Sequence, residues 1–164
     1  MVILSSKFQQ YLLYSRREFM YVVFFFLRKN IVYIAWIQAL VATLGSLYFS
    51  EIEHLVPCVL CWYQRILMYP LVVLLAVGIL KKDAHLPYYV LPLSVSGFLI
   101  ALYHYLLQLG VIPESAAPCI AGISCASRLV QWFGFITIPF LSLVAFAVIT
   151  VSMVFFIKQK IYVK

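Results

Sequence analysis

Four stretches without a single Asp, Glu, Lys or Arg decide what this chain of 164 residues can fold into: residues 31–49, 66–80, 86–113 and 129–157. A helix rises about 1.5 Å per residue, so crossing a hydrocarbon layer of roughly 30 Å takes about 20 residues. The stretches therefore predict four membrane spans, at about 31–49, 62–80, 88–109 and 133–157. The second reaches that length only if its first turn, with Gln64 and Arg65, lies near the headgroups. Membrane β-strands would show short segments of alternating polarity, and these runs do not alternate. Pro70, Pro92 and Pro139 fall inside the proposed spans, where neighbouring helices can absorb a local break. The expected fold class is an all-α integral membrane protein, an antiparallel four-helix transmembrane bundle.

Composition excludes the alternatives. Hydrophobic residues make up 66% of the chain and charged ones 10%, against roughly 25% charged in soluble domains. A soluble domain of this size has too much exterior to hide so much apolar surface. Disorder requires the opposite balance of hydrophobicity and charge.

The basic residues orient the bundle. Lys7, Arg16, Arg17, Arg28 and Lys29 precede the first span, Lys81 and Lys82 join the second to the third, and Lys158, Lys160 and Lys164 follow the fourth. Only Arg65 and Arg128 remain for the other side. By the bias of cytoplasmic loops toward Lys and Arg, both termini are expected in the cytoplasm. The net charge of +7 is thus a topology signal and gives no support to nucleic-acid binding. Residues 1–30 read as a cytoplasmic or interfacial extension, 31–157 as the four-span domain, and 158–164 as a cytoplasmic basic tail. The apolar run 19–27 is too short to span, and no small-residue cleavage site follows it, which speaks against a signal peptide. A start of translation at Met20 is the alternative.

In this topology all four cysteines fall on the extracytoplasmic side. Cys58 and Cys61 stand at the head of the second span, and Cys119 and Cys125 in the loop at about 110–131. Packing alone would scatter thiols through the bundle. Four cysteines outside the cytoplasm allow three complete pairings, and their clustering points to oxidation chemistry or metal binding. At a helix start, the spacing Cys58-Val59-Leu60-Cys61 puts both sulfurs on one face, where free N–H groups favour the reactive thiolate. Arg65, four residues beyond Cys61, lies one turn deeper on that face. There it either snorkels to headgroups or meets an anion. His104 lies at similar depth on the third span, so Arg65 and His104 are expected to flank one pocket; interhelical hydrogen bonding is the plainer role for that imidazole. His54 and His85 read as solvated loop residues. A Cys119–Cys125 disulfide, if formed, would close a small ring on an accessible loop, and such bonds are typically exchangeable.

Three segments carry a family resemblance: Gly45-Ser46-Leu47-Tyr48-Phe49-Ser50-Glu51-Ile52, Pro57-Cys58-Val59-Leu60-Cys61-Trp62-Tyr63-Gln64-Arg65, and Trp132-Phe133-Gly134-Phe135-Ile136-Thr137-Ile138-Pro139-Phe140. With Cys119 and Cys125, they resemble the DsbB family of bacterial disulfide-forming membrane proteins, closest to its short BdbC branch, over roughly residues 27–157. The resemblance implies a protein-disulfide oxidoreductase of the cell membrane. It would reoxidise an extracytoplasmic thioredoxin-like dithiol oxidase and pass the electrons to a membrane quinone, menaquinone or ubiquinone, in support of the folding of exported proteins. Carried over by position, Cys119 would take the partner's thiolate, Cys125 would exchange with Cys58, and Cys61 would face the quinone. Arg65 and His104 would be the quinone-site residues, and no metal ligands are implied.

Two other readings compete. A quinone reductase similar to the vitamin K epoxide reductase family also has four helices and a C-x-x-C, but there that pair is on the last span of the core bundle. A non-catalytic membrane protein could hold zinc on its cysteines or be stapled by two inert bridges. For zinc, Cys119 and Cys125 are widely spaced and no histidine nearby in sequence completes a familiar pattern.

Overall fold

The computed structural model describes residues 30–113, 124–125, 131–132 and 136–162. The expected N-terminal extension, residues 1–30, lies outside the described residues except for Asn30, which begins the first helix, and Cys119 lies outside them too. The chain separates into two units, Met1–Ile31 and Val32–Lys164, and the helical core belongs to the second. Helix α1 covers Asn30–Ile52 and closes in a π-helical turn at Tyr48–Ile52. Helices α2 and α3 follow at Val59–Lys81 and Leu86–Gln108. Two short strands, β1 (Gln131–Trp132) and β2 (Ile136–Thr137), lead into helix α4 at Ile138–Tyr162. All four helices are long and apolar enough to cross a membrane. The protein is an all-α membrane bundle, as its uncharged runs predict.

The boundaries depart from expectation in three places. Helix α2 begins at Val59 rather than near residue 62, because Cys58 takes the extended N-cap position directly after Pro57. This draws Gln64 and Arg65 into the second turn of the span. Helix α4 begins at Ile138 rather than near 133, because β1 and β2 pair antiparallel just before it, Gln131 opposite Thr137 and Trp132 opposite Ile136. The expected basic tail is partly helical, since α4 continues through Lys158 and Lys160 to Tyr162.

Helices in lipid gain little from the hydrophobic effect between themselves, so close packing of small residues and interhelical hydrogen bonds must hold them. Ala39, Ala101 and Ala145 are all buried in the main apolar cluster with Leu71, Leu75, Phe146 and Ile149. At Gly97 on α3 the Phe146 ring of α4 occupies the place a β-carbon would take. Nearby, Thr150 Oγ1 donates to Ser94 Oγ at 3.1 Å, joining the same two helices. The α2–α3 connection is tight: Lys82 adopts the left-handed conformation (φ 50°), and the Asp83 N–H returns to the Gly78 carbonyl at 2.9 Å. The Asp83 carboxylate accepts the His85 N–H at 2.8 Å and the Tyr89 hydroxyl at 2.6 Å. Large apolar side chains such as Ile37, Val73, Leu99 and Val151 remain exposed around the bundle. In water such a surface would drive aggregation, whereas in a bilayer it is the lipid-facing coat.

Candidate active site

The start of α2 assembles the chemistry. Pro57 precedes the helix, and Cys58, with extended backbone (φ −69°, ψ 170°), is its N-cap. One turn on, Cys61 brings its sulfur to 3.1 Å from that of Cys58, and both are free thiols. Bonding to the Cys61 thiol, and then to His104, pulls the Cys58 thiol well below its ordinary value, to about 4, against the opposing effect of burial. A low value at a helix start is the mark of a reactive cysteine.

His104, only 1% exposed, must satisfy both ring nitrogens inside the bundle. Its Nε2 lies 3.2 Å from the carbonyl oxygen of Cys125 and 3.7 Å from the Cys58 sulfur. A carbonyl can only accept, so Nε2 carries the proton in the neutral ring. Its Nδ1 is then an acceptor, and it faces Gln64 Nε2 at 3.1 Å. The imidazole therefore ties together the rigid pair and the backbone of the loop cysteine. Cys125 is 1% exposed, is disulfide-bonded, and packs with Cys58, Leu60 and Leu107 in a small apolar cluster.

On another side of the pair lies a cavity of about 300 Å³ between α1, α2 and the start of α4. Cys61, Gln64, Arg65, Met68 and Tyr69 of α2 border it, with Gln38, Ser46 and Phe49 of α1 and Leu141 of α4. Arg65 is held there by donating from Nη2 to the Ser46 carbonyl at 2.9 Å, while its guanidinium stacks 5.6 Å from the Trp62 ring centre. Ser46 lies just before the π-helical turn of α1, and such turns recur at functional sites.

Arg65 and His104 therefore do not flank one pocket. Arg65 borders the cavity beside Cys61, whereas His104 packs behind Cys58; Gln64 touches both His104 and the cavity. His54 and His85 are exposed, and neither joins the cluster of Cys58, Cys61 and His104. Two site residues escape sequence reasoning. Gln64 is one. Tyr69, which borders the cavity, is the other: its hydroxyl is buried and has no hydrogen-bond partner among the described residues. Its spacing was the available signal, since Cys61, Arg65 and Tyr69 recur every four residues along one helix face.

Comparison with known proteins shows the family. The family model described as disulfide bond formation protein DsbB matches residues 28–156. Disulfide bond formation protein C of Bacillus subtilis is 50% identical over 74% of this chain and 88% of its own length. A probable disulfide formation protein C of Halalkalibacterium halodurans is 46% identical, covering 80% of this chain and 96% of its own. A probable disulfide formation protein of Coxiella burnetii is 43% identical over 85% and 93% of the two chains. No solved structure matches the chain significantly.

Proposed function

Because the chain belongs to the DsbB family of disulfide bond formation proteins, we propose that it moves electrons from an extracytoplasmic thioredoxin-like dithiol protein, through its two cysteine pairs, to a membrane quinone. Thiol–disulfide oxidase activity in a multi-pass membrane protein is the family's common ground; the partner, the acceptor and the sidedness are the finer reading. The observation that carries it is the position of Cys58 and Cys61 between the imidazole-tethered Cys125 and a cavity that holds Arg65.

Each exchange step balances. A thiolate of the partner attacks Cys119 and displaces Cys125. Cys125 attacks Cys58 of the Cys58–Cys61 disulfide, so a Cys58–Cys125 bond forms and Cys61 leaves as thiolate. The partner's second thiolate then closes its own disulfide and frees Cys119, which displaces Cys58 and restores Cys119–Cys125. The rigid pair is left reduced, the state in which free Cys58 and Cys61 coexist with a bonded Cys125. A low thiol value at Cys58 makes it a good leaving group and favours the reduced pair, so electrons are drawn toward it.

The cavity suits a quinone headgroup. Its walls are mostly apolar, its volume is at the lower end of the ligand-pocket range, and the unpartnered Tyr69 hydroxyl offers a donor for a carbonyl oxygen. When bound, a quinone supplies a sink for two electrons and two protons as the Cys58–Cys61 disulfide closes. Arg65 contributes a fixed cation beside Cys61, where negative charge develops in a low-dielectric setting. Gln64 keeps the His104 ring turned so that Nε2–H points at Cys58 and Cys125. The charge bias of the sequence supports the sidedness of this reading, with all four cysteines outside the cytoplasm and both termini inside.

The test is anaerobic. Purified protein is mixed with a reduced thioredoxin-like partner and a soluble quinone, and quinone absorbance is followed. Wild type should consume quinone in step with partner thiols, Cys58→Ser should abolish this, and His54→Ala should leave it intact. Loss of partner thiols without quinone reduction would refute the proposed acceptor.

A further inference from the structure

Three ligating side chains converge at the head of α2 in a way that exchange chemistry does not require. The sulfurs of Cys58 and Cys61 and a ring nitrogen of His104 all lie within 4.8 Å of one another. His104 is 43 residues beyond Cys61 in the chain, so no linear pattern reveals the set. The carbonyl oxygen of Cys125, 3.2 Å from His104 Nε2, adds a fourth donor atom.

We propose that the reduced form of the protein carries a redox-gated site for a thiophilic divalent cation of the zinc type, made by Cys58, Cys61 and His104 with the Cys125 carbonyl as fourth ligand. Metal–sulfur bonds of about 2.3 Å and metal–nitrogen or metal–oxygen bonds of about 2.0 Å, at tetrahedral angles, require ligand separations of about 3.8 Å for S···S, about 3.5 Å for S···N and about 3.3 Å for N···O. The Cys58 sulfur stands 3.7 Å from His104 Nε2, and that nitrogen stands 3.2 Å from the carbonyl. The two sulfurs, at 3.1 Å, must move apart. A side-chain rotation at Cys61, which borders the open cavity, provides that movement.

The surroundings complete the site. A metal-bound imidazole donates its other N–H to a fixed acceptor. Binding through Nε2 moves the ring proton to Nδ1, and Gln64 needs only to turn its carboxamide over to accept it. The reaction balances as the cation entering and any thiol proton still on the pair leaving, at neutral pH the one shared with Cys61, so uptake releases a proton and strengthens as pH rises. Oxidation of the pair to a disulfide removes both thiolates and with them the site. The cation and the disulfide are thus mutually exclusive, and a bound cation holds both sulfurs out of exchange.

The experiment uses the full-length Cys119→Ser, Cys125→Ser protein, which keeps the Cys125 backbone carbonyl and leaves only one cysteine pair. Reduced protein is titrated anaerobically with Cd²⁺, and the sulfur-to-metal absorption band and proton release are followed. One Cd²⁺ per chain is expected, with affinity reduced about tenfold or more by His104→Ala and about tenfold by Gln64→Ala. The same protein with Cys58 and Cys61 oxidised to a disulfide is a comparator free of any folding defect, and it should not develop the band. Equal binding by the oxidised protein, no binding by the reduced one, or unchanged affinity in a folded His104→Ala variant would each overturn the proposal. None of these readouts depends on quinone, so they stand apart from the proposed electron path.

Discussion

The acidity of Cys58 is the feature most open to direct perturbation. Its thiol is pulled from 9.0 to about 4, first by the Cys61 thiol and then by His104, with burial opposing both. A thiol that titrates at 9.0 is about 1% thiolate at pH 7, so its alkylation rate climbs about a hundredfold before levelling off in alkali. A thiol that titrates near 4 is already fully ionised at pH 7, and its rate is flat from there upward. The plateau itself should be low, because a thiolate loses intrinsic nucleophilicity as its thiol becomes more acidic. The shape of the profile, not its height, therefore carries the information. The assay is timed alkylation of the reduced Cys119→Ser, Cys125→Ser protein by iodoacetamide between pH 4 and 10, quantified on the Cys58 peptide by mass spectrometry. Removal of the larger cause by Cys61→Ala should move the half-point toward neutrality, and His104→Ala should move it less. A wild-type rate that rises about tenfold per unit through neutral pH would refute the assignment, as would a larger shift in His104→Ala than in Cys61→Ala.

Other outcomes follow from the same geometry. Arg65→Lys keeps the charge but loses the planar fork that reaches the Ser46 carbonyl and stacks on Trp62; it should slow quinone reduction in stopped-flow while the partner mixed disulfide still forms. Tyr69→Phe removes the unpartnered hydroxyl and should raise the KM for quinone severalfold with a smaller change in kcat, read from initial rates over a quinone series. Gly97→Val forces a side chain into the Phe146 ring and should destabilise the bundle by about 1–3 kcal/mol, seen as a lower denaturation midpoint in detergent, with Gly45→Ala, at a position with open space, as the neutral control.

What could be read from the sequence depended on the length scale of the signal. Absence of charge over about 20 residues is a property of a whole span, so all four helices were legible. Their ends were not, because an uncharged run does not say where a helix gives way to a hairpin. Residues 131–132 and 136–137 belong to the fourth run and yet pair as β1 and β2. As polar groups at the end of an apolar run, Gln64 and Arg65 are expected in the headgroup region. Inside the bundle each finds a partner instead, Gln64 at His104 and Arg65 at the Ser46 carbonyl, so α2 starts a turn earlier than expected. Counting residues along the spans placed Arg65 and His104 at one depth, but depth carries no information about azimuth around the bundle. That is why the pocket expected between them resolves into a cavity at Arg65 and a tether at His104. The contact between His104 and Cys58 joins positions 46 apart and is set by how α3 packs on α2, which no local pattern encodes.

The most direct measurement removes the loop cysteines and asks whether the rigid pair alone speaks to quinone. Full-length Cys119→Ser, Cys125→Ser protein is reduced, freed of reductant, and mixed anaerobically with excess quinone in a single turnover. One quinone should be reduced for every two thiols lost, with a Cys58–Cys61 disulfide as the product on mass analysis. Quinone that stays oxidised while those two thiols persist would mean that electrons do not leave the protein through Cys58 and Cys61.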